Sequence, residues 1–132
     1  MANRGPSGLL DLATADLETA RRLVVPGLHH NACYHAQQAA EKGLKALLMR
    51  ETATFPKTHD LSRLVDAVRV SQPAFPEFSL ESVVLNEYAV DMRYEPEALT
   101  DVDEEEANAA IGYAKTILDY VRPFLEGNPA EK

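Results

Sequence analysis

The segment from Tyr34 to Leu48, YHAQQAAEKGLKALL, and the run Lys57-Thr58-His59-Asp60-Leu61 after it hold most of the side chains in this sequence that could do chemistry together. Set on a helix at 100° per residue, Asn31, Tyr34, Gln38, Lys42, Lys45 and Met49 fall within about 40° of one line. Cys33, Ala36, Ala40, Leu44 and Leu47 gather on the opposite side. One helix therefore buries an Ala/Leu face and presents a stripe with a phenol, an amide and two ammonium groups. That donor set suits an anion such as a phosphate.

His59 is the best placed of the four histidines to join the stripe. At the start of a helix its ring could cap backbone groups or line a polar cleft, and an ordinary imidazole pKa near 6.5 also suits it to acid or base work. Spacing assigns it no paired carboxylate. Arg93 and Tyr94 stand at a helix exit, where a guanidinium satisfies terminal carbonyls or grips a phosphate with its fork. The candidate anion or nucleotide site is thus Tyr34, Gln38, Lys42, Lys45, His59, Arg93 and Tyr94. The plainer alternative for the lysines is a solvated helix face, with Glu41 pairing Lys45 at i+4 for a few tenths of a kcal/mol.

Other chemistries lack their residues. The chain has no GxxxxGK[ST] loop, GxGxxG, HExxH or nucleophile elbow. His35 follows His29 and His30 by six and five residues, neither being the i, i+4 interval that aligns two rings on a metal. No metal and no cofactor is expected, and no catalytic residue is assigned.

The elements that must position these residues are helices. Leu10, Ala13, Leu17, Ala20 and Val24 recur at helical spacing, so a first helix starts near Ser7 and stops at Pro26-Gly27. The second runs from Leu28 or His29 to Arg50 and is closed by the Thr54-Phe55-Pro56 loop. Thr58 is the expected N-cap of a third, with Leu61, Leu64, Val65 and Val68 inward. A fourth spans Ser79 to Met92, with Ser79 as N-cap and Leu80, Val84, Leu85, Tyr88 and Met92 inward. A fifth begins near Thr100 or Asp101 and reaches Phe124; its early acids match the helix dipole, and Ala107, Ala110, Ala114, Ile117 and Val121 form a small-residue seam. With no alternating strand pattern and no repeat, the expectation is an all-α antiparallel bundle of about five helices, a four-helix up-and-down core plus a short helix.

A chain of 132 residues should form a single domain, with its core at about residues 7–125 and a frayed tail over 126–132. The lone Cys33 can form no internal disulfide, and with no targeting or membrane-spanning stretch a cytoplasmic setting is expected. The net charge of −8 is uneven: residues 28–72 hold six bases and four acids, whereas 73–132 hold four bases and fourteen acids. An acidic balance argues against a general nucleic-acid binder, so any anion site would have to be local, in the middle third.

The order of these features resembles the HEPN domain family, small prokaryotic helical bundles often paired with a minimal nucleotidyltransferase. The matching pieces are the YHAQQAAEKGLKALL helix, the Thr58-His59-Asp60-Leu61 entry to helix 3, the Leu85–Tyr94 segment ending in Arg-Tyr, and the last helix, acidic and then rich in alanine. The resemblance implies a bundle that homodimerises, a nucleotidyltransferase partner, and a role in toxin–antitoxin or defence systems with possible nucleotide or RNA binding. Many members are ribonucleases that use an Arg, four to six residues and a His near the start of a late helix. Here all four histidines, His29, His30, His35 and His59, lie in the first half, and the formal match of Arg22 with His29 straddles the Pro26-Gly27 turn. A HEPN ribonuclease with a non-standard site and an autonomous nucleotide-binding module are the alternatives. A homodimer is also expected because the apolar helical faces outnumber those a five-helix monomer covers.

Overall fold

The computed structural model describes residues 5–89 and 102–126, which form five α-helices and, among the described residues, no strand. They are α1 (Pro6–Arg22), α2 (His29–Thr52), α3 (Leu61–Ser71), α4 (Ser79–Asn86) and α5 (Glu104–Glu126). Pro6 opens α1 with its φ already helical and no N–H to leave unbonded. The turn to α2 passes through Gly27 at φ 87°, a left-handed conformation that glycine adopts without a Cβ penalty. This short turn folds α1 back along α2.

The central helix is α2, packed chiefly against α1 and α5 and also against α3 and α4. Its burial explains its composition: Ala32, Ala36, Ala39, Ala40 and Ala46 are fully buried with Leu44 and Leu47, so neighbouring helices approach from several sides. At Gly43 α5 approaches so closely that an added Cβ would collide with Leu118 Cδ2. Ala107, Ala110, Ala114, Ile117 and Val121 are all fully buried, so the small-residue seam of α5 is spent inside the bundle. Between residues 31 and 49 of α2, what remains half-exposed is the stripe Asn31, Tyr34, Gln38, Lys42, Lys45 and Met49, joined by His35.

Several expected boundaries shift for physical reasons. The N-cap of α3 is Asp60, whose Oδ1 accepts from the Ser62 N–H at 2.9 Å; Thr58 Oγ1 accepts instead from the Asp60 N–H at 3.1 Å, ordering the approach. The cap of α4 is Phe78 in the left-handed region, at φ 47° and ψ 42°, with Ser79 the first helical residue. The buried Phe78 ring packs edge-to-face on Phe75 and Tyr120, which holds this unfavourable backbone in place. The inward face of α4 is Ser82 and Leu85, followed by Tyr88, which turns Leu80 out to solvent. The described α4 ends at Asn86 and continues in turns through Ala89; Met92, Thr100 and Asp101 lie outside the described residues. Asp103 precedes α5 and its Oδ1 accepts from the Glu106 N–H at 2.8 Å. No helix among the described residues is long and apolar enough to cross a membrane.

Candidate functional site

Two carboxylates, one from α1 and one from α2 itself, organise the polar stripe. Asp16 sits at the spacing of the buried Ala13 and Ala20, so its side chain is directed at α2 from the edge of the apolar face of α1. There Oδ1 lies 3.0 Å from His35 Nδ1 and Oδ2 accepts from Lys42 Nζ at 2.6 Å. Two turns of α2 are thereby tied to one point on α1.

Glu41 holds the second cluster. Its side chain is 5% exposed and accepts from Lys45 Nζ at 2.8 Å, from Gln37 Nε2 at 3.1 Å and from His59 Nδ1 at 3.0 Å. Burial opposes ionisation of Glu41, but the hydrogen bonds from Lys45, His59 and Gln37 outweigh it and hold the carboxyl below the ordinary carboxylate value. An ionised carboxylate only accepts, so the proton of a neutral His59 sits on Nδ1 and Nε2 presents a lone pair. Gln37 Nε2 also donates to the His59 carbonyl at 3.2 Å, fixing the α2–α3 loop to α2. The His59 side chain itself is 69% exposed. Beside it Thr58, Asp60, Asn86 and Ala89 complete a surface depression of about 400 Å³, in which Asn86 Nδ2 donates to Asp60 Oδ1 at 2.9 Å.

The predicted site residues thus meet in part. Tyr34, Gln38, Lys42 and Lys45 share the ridge of α2, and His59 joins its far end through Glu41. Gln38 Nε2 donates to Gln37 Oε1 at 2.7 Å, and the Tyr34 ring packs edge-to-face on His35. Arg93 and Tyr94 lie outside the described residues. The lysines differ in what they can still offer. Lys42 is 30% exposed, and its ammonium has donors beyond the one given to Asp16, whereas Lys45 is 13% exposed, bound to Glu41 and 5.2 Å from the centre of the Phe55 ring. Each lysine charge is offset by a carboxylate, so the ridge offers directed hydrogen-bond donors more than a positive field.

Asp16, His35 and Gln37 were missed by sequence reasoning. A carboxylate at the apolar spacing Ala13–Asp16–Ala20 was the available signal for the first, and Gln37–Glu41 at i, i+4 for the third. Elsewhere Cys33 is buried against Tyr88, and its thiol is pushed up to about 12 by burial first and then by the Glu106 charge, so it stays protonated and inert. Tyr88 in turn donates to Glu106 on α5, and burial with this bond holds its phenol above the ordinary value. No group of three or more His, Cys, Asp or Glu positioned for a metal occurs among the described residues.

Two solved structures share this architecture. The crystal structure of ST0689, an archaeal HEPN homologue, is 25% identical, covers 90% of this chain and 96% of its own, and superposes with a TM-score of 0.73. TT1696 from Thermus thermophilus is also 25% identical, covers 91% of this chain and 98% of its own, and has a TM-score of 0.74. No curated protein matches the sequence. The family model of the HEPN domain matches residues 7–124, so nearly the whole helical bundle, with the α2 ridge at its centre, is a HEPN domain and the chain belongs to that family.

Proposed function

We propose that this HEPN protein is a binding subunit that contacts the phosphate of a nucleotide or RNA through the α2 ridge, forms a homodimer and joins a minimal nucleotidyltransferase in a toxin–antitoxin or defence system. The observation that carries the phosphate contact is Lys42, held by Asp16 in a fixed position with donors to spare, one turn from Gln38 and two from Tyr34. Positioning by Asp16 reduces the rotamer entropy lost on binding, while charge offset within each pair keeps the affinity modest, at a Kd of about 0.1–1 mM. Family membership supports the homodimer and the partner; a monomer mass by light scattering at micromolar concentration would contradict the homodimer.

Calorimetric titration with ATP tests the phosphate contact. Lys42→Ala should weaken binding roughly tenfold, the cost of one charge-assisted hydrogen bond, while the helical CD spectrum is retained. Equal binding by the wild type and the variant would remove the ridge from the proposal.

The Glu41–His59 pair favours a second reading, a ribonuclease with a non-standard site, because a buried carboxylate orienting an exposed imidazole is an acid–base arrangement. RNA turnover by the isolated chain that vanishes in His59→Ala would select that reading. Absence of turnover would select the binding subunit.

A further inference from the structure

We infer that the outer face of α3 and α4 is a docking surface for an amphipathic, basic helix of another protein. This surface uses helices other than the α2 ridge and stands independently of the function proposed for that ridge. Ser62 and Asp66 on α3 face Ser79 and Val83 on α4 across a groove of about 350 Å³, with Glu77 at its end.

Two apolar side chains of α4 are exposed, Val83 in the groove and Leu80 beside it. Leu80 and Val83, each 60% exposed, are three residues apart and so adjacent on the helix surface. Val70, exposed one turn after Asp66 on α3, adds a third. Nothing in the helical period requires them there: Ser82 occupies the inward position of α4 that an apolar residue would ordinarily fill, and the larger apolar residues face out. Grooves of this kind accept a helix whose apolar residues recur at i, i+3, i+4 and i+7.

Charge identifies the occupant. Residues 62–87 contain Asp66, Glu77, Glu81 and Glu87 against Arg63 and Arg69. Arg69 is committed, its Nε donating to the Phe75 carbonyl at 2.7 Å, Nη2 to the Pro73 carbonyl at 3.2 Å and Nη1 to Glu77 at 3.2 Å. The Arg69–Glu77 pair cancels, leaving Asp66 in the groove with Glu81 and Glu87 on α4 and its exit against Arg63, an excess of carboxylates that complements lysines and arginines flanking an apolar helical face. A second copy of this chain fits poorly, because a two-fold contact here would set the same acids against themselves.

The test uses a synthetic peptide of roughly 15 residues, made of leucine and lysine with the leucines at that helical spacing, and a scrambled peptide of the same composition. Binding is followed by fluorescence anisotropy, and the site is located by amide shifts of the labelled protein. The helical peptide should bind, shifting amides of α3 and α4, and added salt should weaken it. Combining Leu80→Ser with Val83→Ser should weaken it about tenfold, and Asp66→Asn with Glu81→Gln about threefold. Both pairs change side chains outside the fully buried core, so the fold should persist. Glu104→Gln with Glu105→Gln, which removes exposed acids from α5, should leave binding unchanged. Equal binding of the scrambled peptide, equal loss in the α5 control, shifts confined to other helices, or no binding would each overturn the inference. Self-association of the wild type abolished by Leu80→Ser would replace the basic partner with a second copy and overturn it as well.

Discussion

Leu44→Ala is expected to destabilise the protein by about 2–5 kcal/mol. Leu44 is fully buried on the side of α2 opposite the polar ridge, where the bundle is closely packed. Removing three side-chain carbons there loses their transfer free energy and leaves a cavity that helices anchored on several sides cannot close. The thermal midpoint should fall by roughly 10 °C, with a cooperative transition retained. Leu80→Ser on the solvent-facing side of α4 should change stability by no more than about 0.5 kcal/mol. Equal effects from the two substitutions would show that the burial pattern of α2 and α4 is wrong.

Glu41→Ala is the other change with a large expected effect. It removes the carboxylate on which Lys45, Gln37 and His59 converge, leaving a mostly buried ammonium without its acceptor and a fully buried amide with only the His59 carbonyl to donate to. Breaking a buried pair by deleting one partner typically costs about 3–5 kcal/mol; here the lower end is expected, because Lys45 retains a path to solvent. Replacing both partners, Glu41→Leu with Lys45→Met, should recover most of the loss, since neither then leaves an uncompensated charge. The pair also sets a pH dependence. The folded-state pKa of Glu41 is depressed, so its contribution is complete above the unfolded glutamate value of about 4.3 and disappears as pH falls through the folded value. Wild-type urea midpoints should therefore fall more steeply below about pH 5 than those of Glu41→Gln. Parallel acid limbs would mean that Glu41 is not held ionised by its partners.

Helical period was enough to read α1, α2, α3 and α5 from the sequence, because each buries a stripe whose 3.6-residue repeat is unbroken: Leu10 to Ala20, Cys33 to Leu47, Leu61 to Val68 and Ala107 to Val121. In α4 the same rule set Leu80 inward, where the structure has Ser82, because eight residues give too little period to outweigh the packing of its neighbours. Thr58 and Asp60 are both good capping residues, and only the start of α3 at Leu61 decides between them.

The ridge was legible as a face, and its chemistry was legible only halfway. Spacing put Tyr34, Gln38, Lys42 and Lys45 on one line, and Glu41 beside Lys45 at i+4. That Asp16 would take Lys42 and His35 depends on how α1 lies along α2, a relation 19 and 26 residues distant in sequence that no local pattern encodes. The same holds for His59, which reaches Glu41 only after the α2–α3 loop returns. These tertiary partners change the expectation from a cationic patch to a set of neutralised, fixed donors.

The central claim, that the α2 ridge contacts phosphate, is most directly tested by titrating ATP into the isotopically labelled protein and following backbone amide and side-chain NH₂ resonances. Saturable shifts centred on Tyr34, Gln38 and Lys42 and extending to His59, reduced in Lys42→Ala, are the predicted result. Shifts centred elsewhere in the bundle, or no shifts at ATP concentrations of about 10 mM, well above the expected Kd, would contradict it.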